Sequence, residues 1–199
     1  MTSTNNNLLQ ALRSLMKRYN QKHYDNHQSL PTIEFDKEWP SPCEQGKSSD
    51  TLSYWQPIMV EDLLKSNNKP EAIDEQLTFT NVESALTLTL HQDIKTYFTA
   101  VFSAGIEVEC EHGKLSLLFA WNLDDFQRLQ ENIIGHLLMK QRLKQTETVF
   151  FAVTDEEDMI ISLDNTSGEV WLEQVGCKPH RKLSNSLTEF IDGLTPVII

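Results

Sequence analysis

Leu8, Leu12, Leu15, Met16 and Tyr19 recur at helical spacing, with Arg13, Lys17, Arg18 and Lys22 on the remaining positions, so 8–27 predicts an amphipathic helix. From 28 to 76 that period disappears. Pro31, Pro40, Pro42, Pro57 and Pro70 interrupt the chain, and Phe35, Trp39, Tyr54 and Trp55 read as aromatic pins of an irregular wrapping segment. Ser66-Asn67-Asn68-Lys69 is its expected exposed loop. Thr80 and Glu83 have the spacing of a capping box, opening a helix with Val82, Leu86, Leu90, Tyr97, Phe98 and Val101 on one face and an end near Gly105. Its Thr-rich middle admits a break near His91.

Alternation takes over in 106–111 and 114–121, around His112-Gly113, which predicts a hairpin. Asn122, Asp124 and Asp125 then open the clearest helix. Phe126, Leu129, Ile133, Leu137 and Leu138 form its stripe, and Lys140, Arg142 and Lys144 close it, as the helix dipole favours. Segments 148–153, 159–163 and 169–175 read as strands, with Asn165-Thr166-Ser167-Gly168 as a turn, and 184–194 as a short final helix. Helices, hairpin, helix, meander and helix in that order predict an α+β fold. It would be a single domain over 1–199, with a mixed or antiparallel sheet flanked by helices.

Composition narrows the classes. Hydrophobic residues make up 39% of 199 and charged residues 23%, enough for a packed core and too balanced for global disorder. Cys43, Cys110 and Cys177 are odd in number and scattered, which fits a reducing compartment without a disulfide framework. The first twenty residues lack the apolar region of a secretory leader, and no run approaches the roughly 18 apolar residues of a spanning helix. The expectation is a cytoplasmic protein that does not insert into lipid.

Charge changes the picture most. The net charge is −12, and between Glu147 and Glu173 there are eight carboxylates with no Lys or Arg. Such a strip reads equally as a solvated sheet edge protected against aggregation or as a surface for a basic partner. Either way it excludes nucleic acid and bare anionic lipid as partners.

Sites for chemistry are scarce. No G-x-G-x-x-G, Walker loop or G-x-S-x-G elbow is present. His23 and His27, four apart, lack an evident third ligand and read as solvent-facing histidines. Cys110-Glu111-His112 sits at a strand end, where neighbours face opposite ways, so a buried Cys110 is expected. Gly135-His136 lies inside a helix, where glycine costs about 1 kcal/mol. Close packing beside a satisfied histidine is the first reading, a binding role the second, and catalysis ranks behind both. Asp124 and Asp125 read as caps. Trp121 reads as core or staple, and Trp55 as core before interface anchor. No catalytic residue, cofactor, metal or small-molecule substrate is expected.

Three stretches carry a family resemblance. They are Ser41-Pro42-Cys43 with Tyr54-Trp55-Gln56-Pro57, the run 121–144 (WNLDDFQRLQENIIGHLLMKQRLK), and 165–194 with SGEV at 167–170 and SLTEF at 186–190. In these the chain resembles the SecY-interacting Syd family of bacterial proteins nearly end to end, departing at 58–76, which is longer than the family pattern. The last third is also similar to the wider SUKH superfamily, which includes toxin-immunity proteins. The resemblance implies a SUKH-like fold and a non-enzymatic protein peripheral to the cytoplasmic face of the inner membrane. Such a protein would dock on basic cytoplasmic loops of SecY, within SecYEG, and monitor or restrain the channel. Asp155, Glu156, Glu157, Asp158 and Glu169 are then the expected electrostatic contacts, with Asp124, Asp125 and Glu131 extending the same face. The alternative is an immunity protein that neutralises a basic toxin. A hydrolase built on His136 and a carboxylate ranks last.

Overall fold

The computed structural model of the chain describes residues 2–66 and 73–198. The chain opens with α1 (Thr2–His27), whose Leu8, Leu12, Leu15, Met16 and Tyr19 are buried as their spacing requires. Three of its basic residues are tied down by the protein itself. Arg18 donates to the Leu194 carbonyl at 2.6 Å, Lys22 to that of Pro196 at 2.7 Å, and Arg13 pairs with Asp62 and Glu61.

The Pro-rich segment is more ordered than the sequence pattern suggests. It holds β1 (Thr32–Glu34), β2 (Glu44–Lys47) and β3 (Leu52–Trp55), which form an antiparallel sheet in the order β1-β3-β2. Strands of three or four residues show too little alternation to be read. β4 (Ile58–Met59), α2 (Val60–Leu64) and α3 (Ile73–Gln76) follow. Of the loop expected at 66–69, only Ser66 lies among the described residues.

α4 (Thr80–Leu86) and α5 (Gln92–Ala100) are separate helices, broken where the Thr-rich stretch meets His91. The His91 ring nitrogen accepts from the Asp93 N–H at 3.2 Å and so caps α5. The capping box at Thr80 does not form. Phe79 is the N-cap, without a side-chain bond, and Glu83 reaches the other way. Its carboxylate accepts from the Leu90 N–H and Lys95 Nζ, both at 2.9 Å, and ties α4 to α5.

β5 (Val101–Phe102) pairs with β4. β6 (Ile106–Cys110) and β7 (Gly113–Leu117) make the expected hairpin, and α6 (Leu123–Arg142) runs from an Asn122 cap that accepts from the Asp125 N–H. Then come β8 (Thr148–Thr154), β9 (Met159–Asp164), β10 (Val170–Gln174), β11 (Arg181–Ser184), α7 (Leu187–Asp192) and β12 (Thr195–Pro196). The large sheet is antiparallel, curled, and ordered β11-β10-β9-β8-β7-β6-β12. Its central strand β8 meets helices through adjacent residues. Phe151 touches Tyr97 of α5 and Phe190 of α7, and Phe150 lies edge-on to His136 of α6. The buried apolar side chains form one cluster around Tyr97, Phe98, Phe102, Phe126 and Phe151. This is the α+β single-domain architecture the element order predicted.

The inward face of α6 differs from its expected stripe. Leu138 is 51% exposed, whereas Gln130, His136 and Lys140 are buried beside Phe126, Ile133 and Leu137. Two adjacent leucines lie about 100° apart around a helix, so Leu137 and Leu138 cannot both face the core. The close-packing account of Gly135 is also wrong. A Cβ there would meet nothing within 4 Å.

Candidate functional site: an acidic turn and a second acidic pocket

The eight carboxylates of the strip do not share one environment. Glu173 is fully buried on β10, where its carboxylate accepts from Lys140 Nζ at 2.8 Å and from the Thr148 hydroxyl at 2.9 Å. Lys140, also fully buried, donates to the Cys177 carbonyl at 2.9 Å. His136 completes the knot, with Nε2 3.3 Å from Thr148 Oγ1 and 3.5 Å from Glu173. Burial, reinforced by the nearby Lys140 charge, holds His136 down at about 4, so the ring is neutral. Asp164 accepts from the Thr166 and Ser167 N–H groups and caps its own turn. Glu169 is paired with Lys182 of β11 at 2.5 Å.

Of the other five, Glu147 is half-buried just before β8, and Asp155, Glu156, Glu157 and Asp158 form one run. All four are exposed in the turn between β8 and β9, and none is in an ion pair among the described residues. The turn is an ordered scaffold. Thr154 Oγ1 accepts from the Glu156 N–H, the Met159 N–H donates to the Glu156 carbonyl, and the Val175 N–H donates to the Asp158 carbonyl. Asp158 has φ 61°, a conformation that Asp tolerates better than most residues. Asp155 and Glu156 rim a groove floored by Leu115, Ile161 and Leu172, with Lys114 and Arg181 on the same rim.

The remaining expected contacts lie elsewhere. Glu169 sits past the far end of β9 from this turn, beside Asp164. Asp124 and Asp125 stand at the start of α6, while its last turn, through Lys140 and Cys177, abuts the acidic turn's side of the sheet. Sixteen residues of helix separate Asp124 from Lys140, about 24 Å along the axis. Glu131 is exposed seven residues beyond Asp124, on its own helix stripe. Asp124 and Asp125 thus stand at the opposite end of α6 from Lys140, which reaches Cys177.

Asp125 instead belongs to a second acidic place that sequence reasoning missed. Its carboxylate accepts from the Trp121 N–H at 2.8 Å and faces a cavity of about 280 Å³ that it shares with Glu34, Asp36 and Glu44, walled by Trp39 and Trp121. The small sheet carries Glu34 and Glu44 to this spot. The pairing of such short strands has no sequence signal.

Other candidates prove structural. Trp55 is buried against Tyr19 and edge-on to Trp121. The His23 ring bonds the Ser29 carbonyl at 2.9 Å, and no three His, Cys, Asp or Glu side chains among the described residues gather as metal ligands. Cys110 is half-buried rather than buried, and burial pushes the Cys43 thiol up to about 12. No helix among the described residues is long and apolar enough to cross a membrane.

The stretches that carried the resemblance meet in space. Ser41 Oγ donates to the Trp121 carbonyl, and the Asn122 amide donates to that of Pro40 at 2.9 Å. The chain matches the family model described as Syd protein (SUKH-2) over residues 9–196. It belongs to the Syd family. A Protein Syd of Colwellia psychrerythraea is 62% identical over 195 residues, covering 98% of this chain and 96% of the relative. One from Alteromonas mediterranea is 48% identical over 83% of this chain and 84% of its own. One from Pseudoalteromonas atlantica is 40% identical over 98% of each. Within this Syd-family chain, the joint between the 41–43, 54–57 and 121–122 segments positions both the start of α6 and the second acidic pocket.

Proposed function

We propose that this Syd-family protein is a non-enzymatic binding protein that docks on the basic cytoplasmic loops of SecY and monitors or restrains the SecYEG channel. The observation that carries the reading is the 155–158 turn. Four consecutive carboxylates stand exposed and unpaired on a hydrogen-bonded scaffold, in a protein of net charge −12. Cytoplasmic loops of membrane proteins are rich in Lys and Arg, while the leaflet beneath them is anionic. A protein charged in this way is repelled by bare lipid and steered to such loops, which supports a peripheral position on the inner membrane. Partner binding then rests on Asp155, Glu156, Glu157 and Asp158, with the neighbouring apolar groove as the surface a loop would cover.

The test is binding to SecYEG in lipid nanodiscs against empty discs at rising salt. Binding to loaded discs alone is expected, weakening as salt rises and lost when residues 155–157 become Lys and Asp158 becomes Asn, which keeps its positive φ tolerable. Absence of binding at low salt refutes the assignment and directs attention to a basic toxin as the partner.

A further inference from the structure

A cavity of about 230 Å³ opens between α1, β3, β6 and the end of the chain. Among the described residues no Lys or Arg lines it, and Glu107 is its one carboxylate. Backbone bonds fix its walls. The Trp55 N–H donates to the Pro31 carbonyl at 3.0 Å, and the Val197 N–H to that of Glu107 at 2.8 Å.

Four of the lining residues carry a polar group that the protein leaves unused. Tyr19 is 7% exposed and Trp55 5%, yet neither the Tyr19 hydroxyl nor the Trp55 indole N–H has a hydrogen-bond partner among the described residues. Burial pushes the Tyr19 hydroxyl up to about 12, so it stays protonated and able to donate. Buried tyrosines and tryptophans ordinarily set these groups against an acceptor. His23 spends Nδ1 on the Ser29 carbonyl at 2.9 Å, which leaves Nε2 of the neutral ring as an acceptor. Glu107 is half-buried on β6, and its carboxylate is in no ion pair or hydrogen bond among the described residues.

Two donors and two acceptors select against ions. An anion would meet Glu107 with no cation to offset it, and a cation would leave the Tyr19 and Trp55 donors without an acceptor. A neutral primary carboxamide matches the set. Its oxygen has two lone pairs, one for each donor, and its NH2 has two hydrogens, one for each acceptor. The volume lies below the roughly 300–1,000 Å³ of drug-sized sites, so the occupant is small.

We propose that this cavity binds a small primary carboxamide, whose oxygen accepts from Tyr19 and Trp55 and whose NH2 donates to His23 and Glu107. Pro31, Val197 and Ile198 give apolar contact to the body that carries the amide. The inference is independent of SecY docking.

The probe is nicotinamide, titrated to about 20 mM because so small a ligand binds in roughly the millimolar range. The indole N–H shift of Trp55 and a rise in Tm report binding. A saturable Trp55 shift is expected, with Trp171 unmoved. Nicotinate is charged, and 3-acetylpyridine keeps the ring and carbonyl but has a methyl in place of the NH2. Each should bind at least about tenfold more weakly. Tyr19→Phe removes only the hydroxyl. It should weaken nicotinamide about fivefold and leave the Tm of the free protein in place, because that hydroxyl bonds nothing in the fold. The second source of the same group is a glutamine side chain, tested as acetyl-glutamine-methylamide. Tighter binding than nicotinamide makes the occupant a protein side chain, and weaker binding makes it a free amide. No saturation by either amide, equal binding of 3-acetylpyridine, or full affinity in Tyr19→Phe overturns the proposal.

Discussion

Glu173 shows how much a single residue's surroundings matter. In sequence it is one acid of a strip; in the fold it is wholly buried and shared between Lys140 and Thr148. Lys140→Met leaves that carboxylate buried without its cation and should destabilise the protein by about 3–5 kcal/mol in urea unfolding. Adding Glu173→Gln removes the orphan charge, keeps an acceptor for Thr148, and should recover about half the loss. His136 adds a pH dependence. Its folded value is about 4 against an ordinary 6.5, so between those limits the unfolded chain binds a proton that the native protein refuses. Stability from this group is complete above pH 6.5 and is lost as pH falls toward 4. Moving from pH 7.5 to 5 should cost the native protein about 2 kcal/mol more than it costs His136→Gln. Equal losses would remove His136 from the account.

At the scale of elements, turns do the joining. Asn165, in the turn after β9, accepts from the His91 N–H at 2.7 Å and donates to the Thr89 carbonyl at 2.9 Å. Gly168 of the same turn has φ 74°, and a Cβ there would lie 2.7 Å from the His91 ring, which is itself fixed as the cap of α5. Gly168→Ala should therefore cost about 1–3 kcal/mol, seen as a fall in Tm of several degrees. Gly135→Ala, inside a helix with open space around it, should instead raise stability by up to about 1 kcal/mol, so a similar fall at both positions would remove the clash from the account. The basic face of α1 follows similar logic. Arg18 and Lys22 satisfy carbonyls at Leu194 and Pro196, so they hold the chain's end to α1 and are not available to lipid headgroups.

For the whole molecule, a net charge of −12 opposes compaction while it favours encounter with a basic partner. Function and stability should then separate at the acidic turn. Asp155→Asn/Glu156→Gln/Glu157→Gln/Asp158→Asn should keep or raise Tm while slowing association with SecYEG nanodiscs at low salt. The loss should fall on the association rate more than on dissociation. A lower Tm would mean that the turn's carboxylates are structural.

The sequence by itself determined the element types where a period had room to repeat. Leu8 to Tyr19, Phe126 to Leu137 and the 148–175 meander were legible, because a long helical run, or a strand of five to seven residues, samples a face several times. So was the family, through motifs such as Trp121 to Asp125. Which acids are exposed was not legible. Pairing between distant segments decides it: β11 brings Lys182 to Glu169, the end of α6 brings Lys140 to Glu173, and the short β1 and β2 bring Glu34 and Glu44 to Asp125. A carboxylate's free energy is set by the charges and water around it in space. Neighbours tens of residues away along the chain leave no local pattern, so only the tertiary structure distinguished a buried structural acid from a surface one.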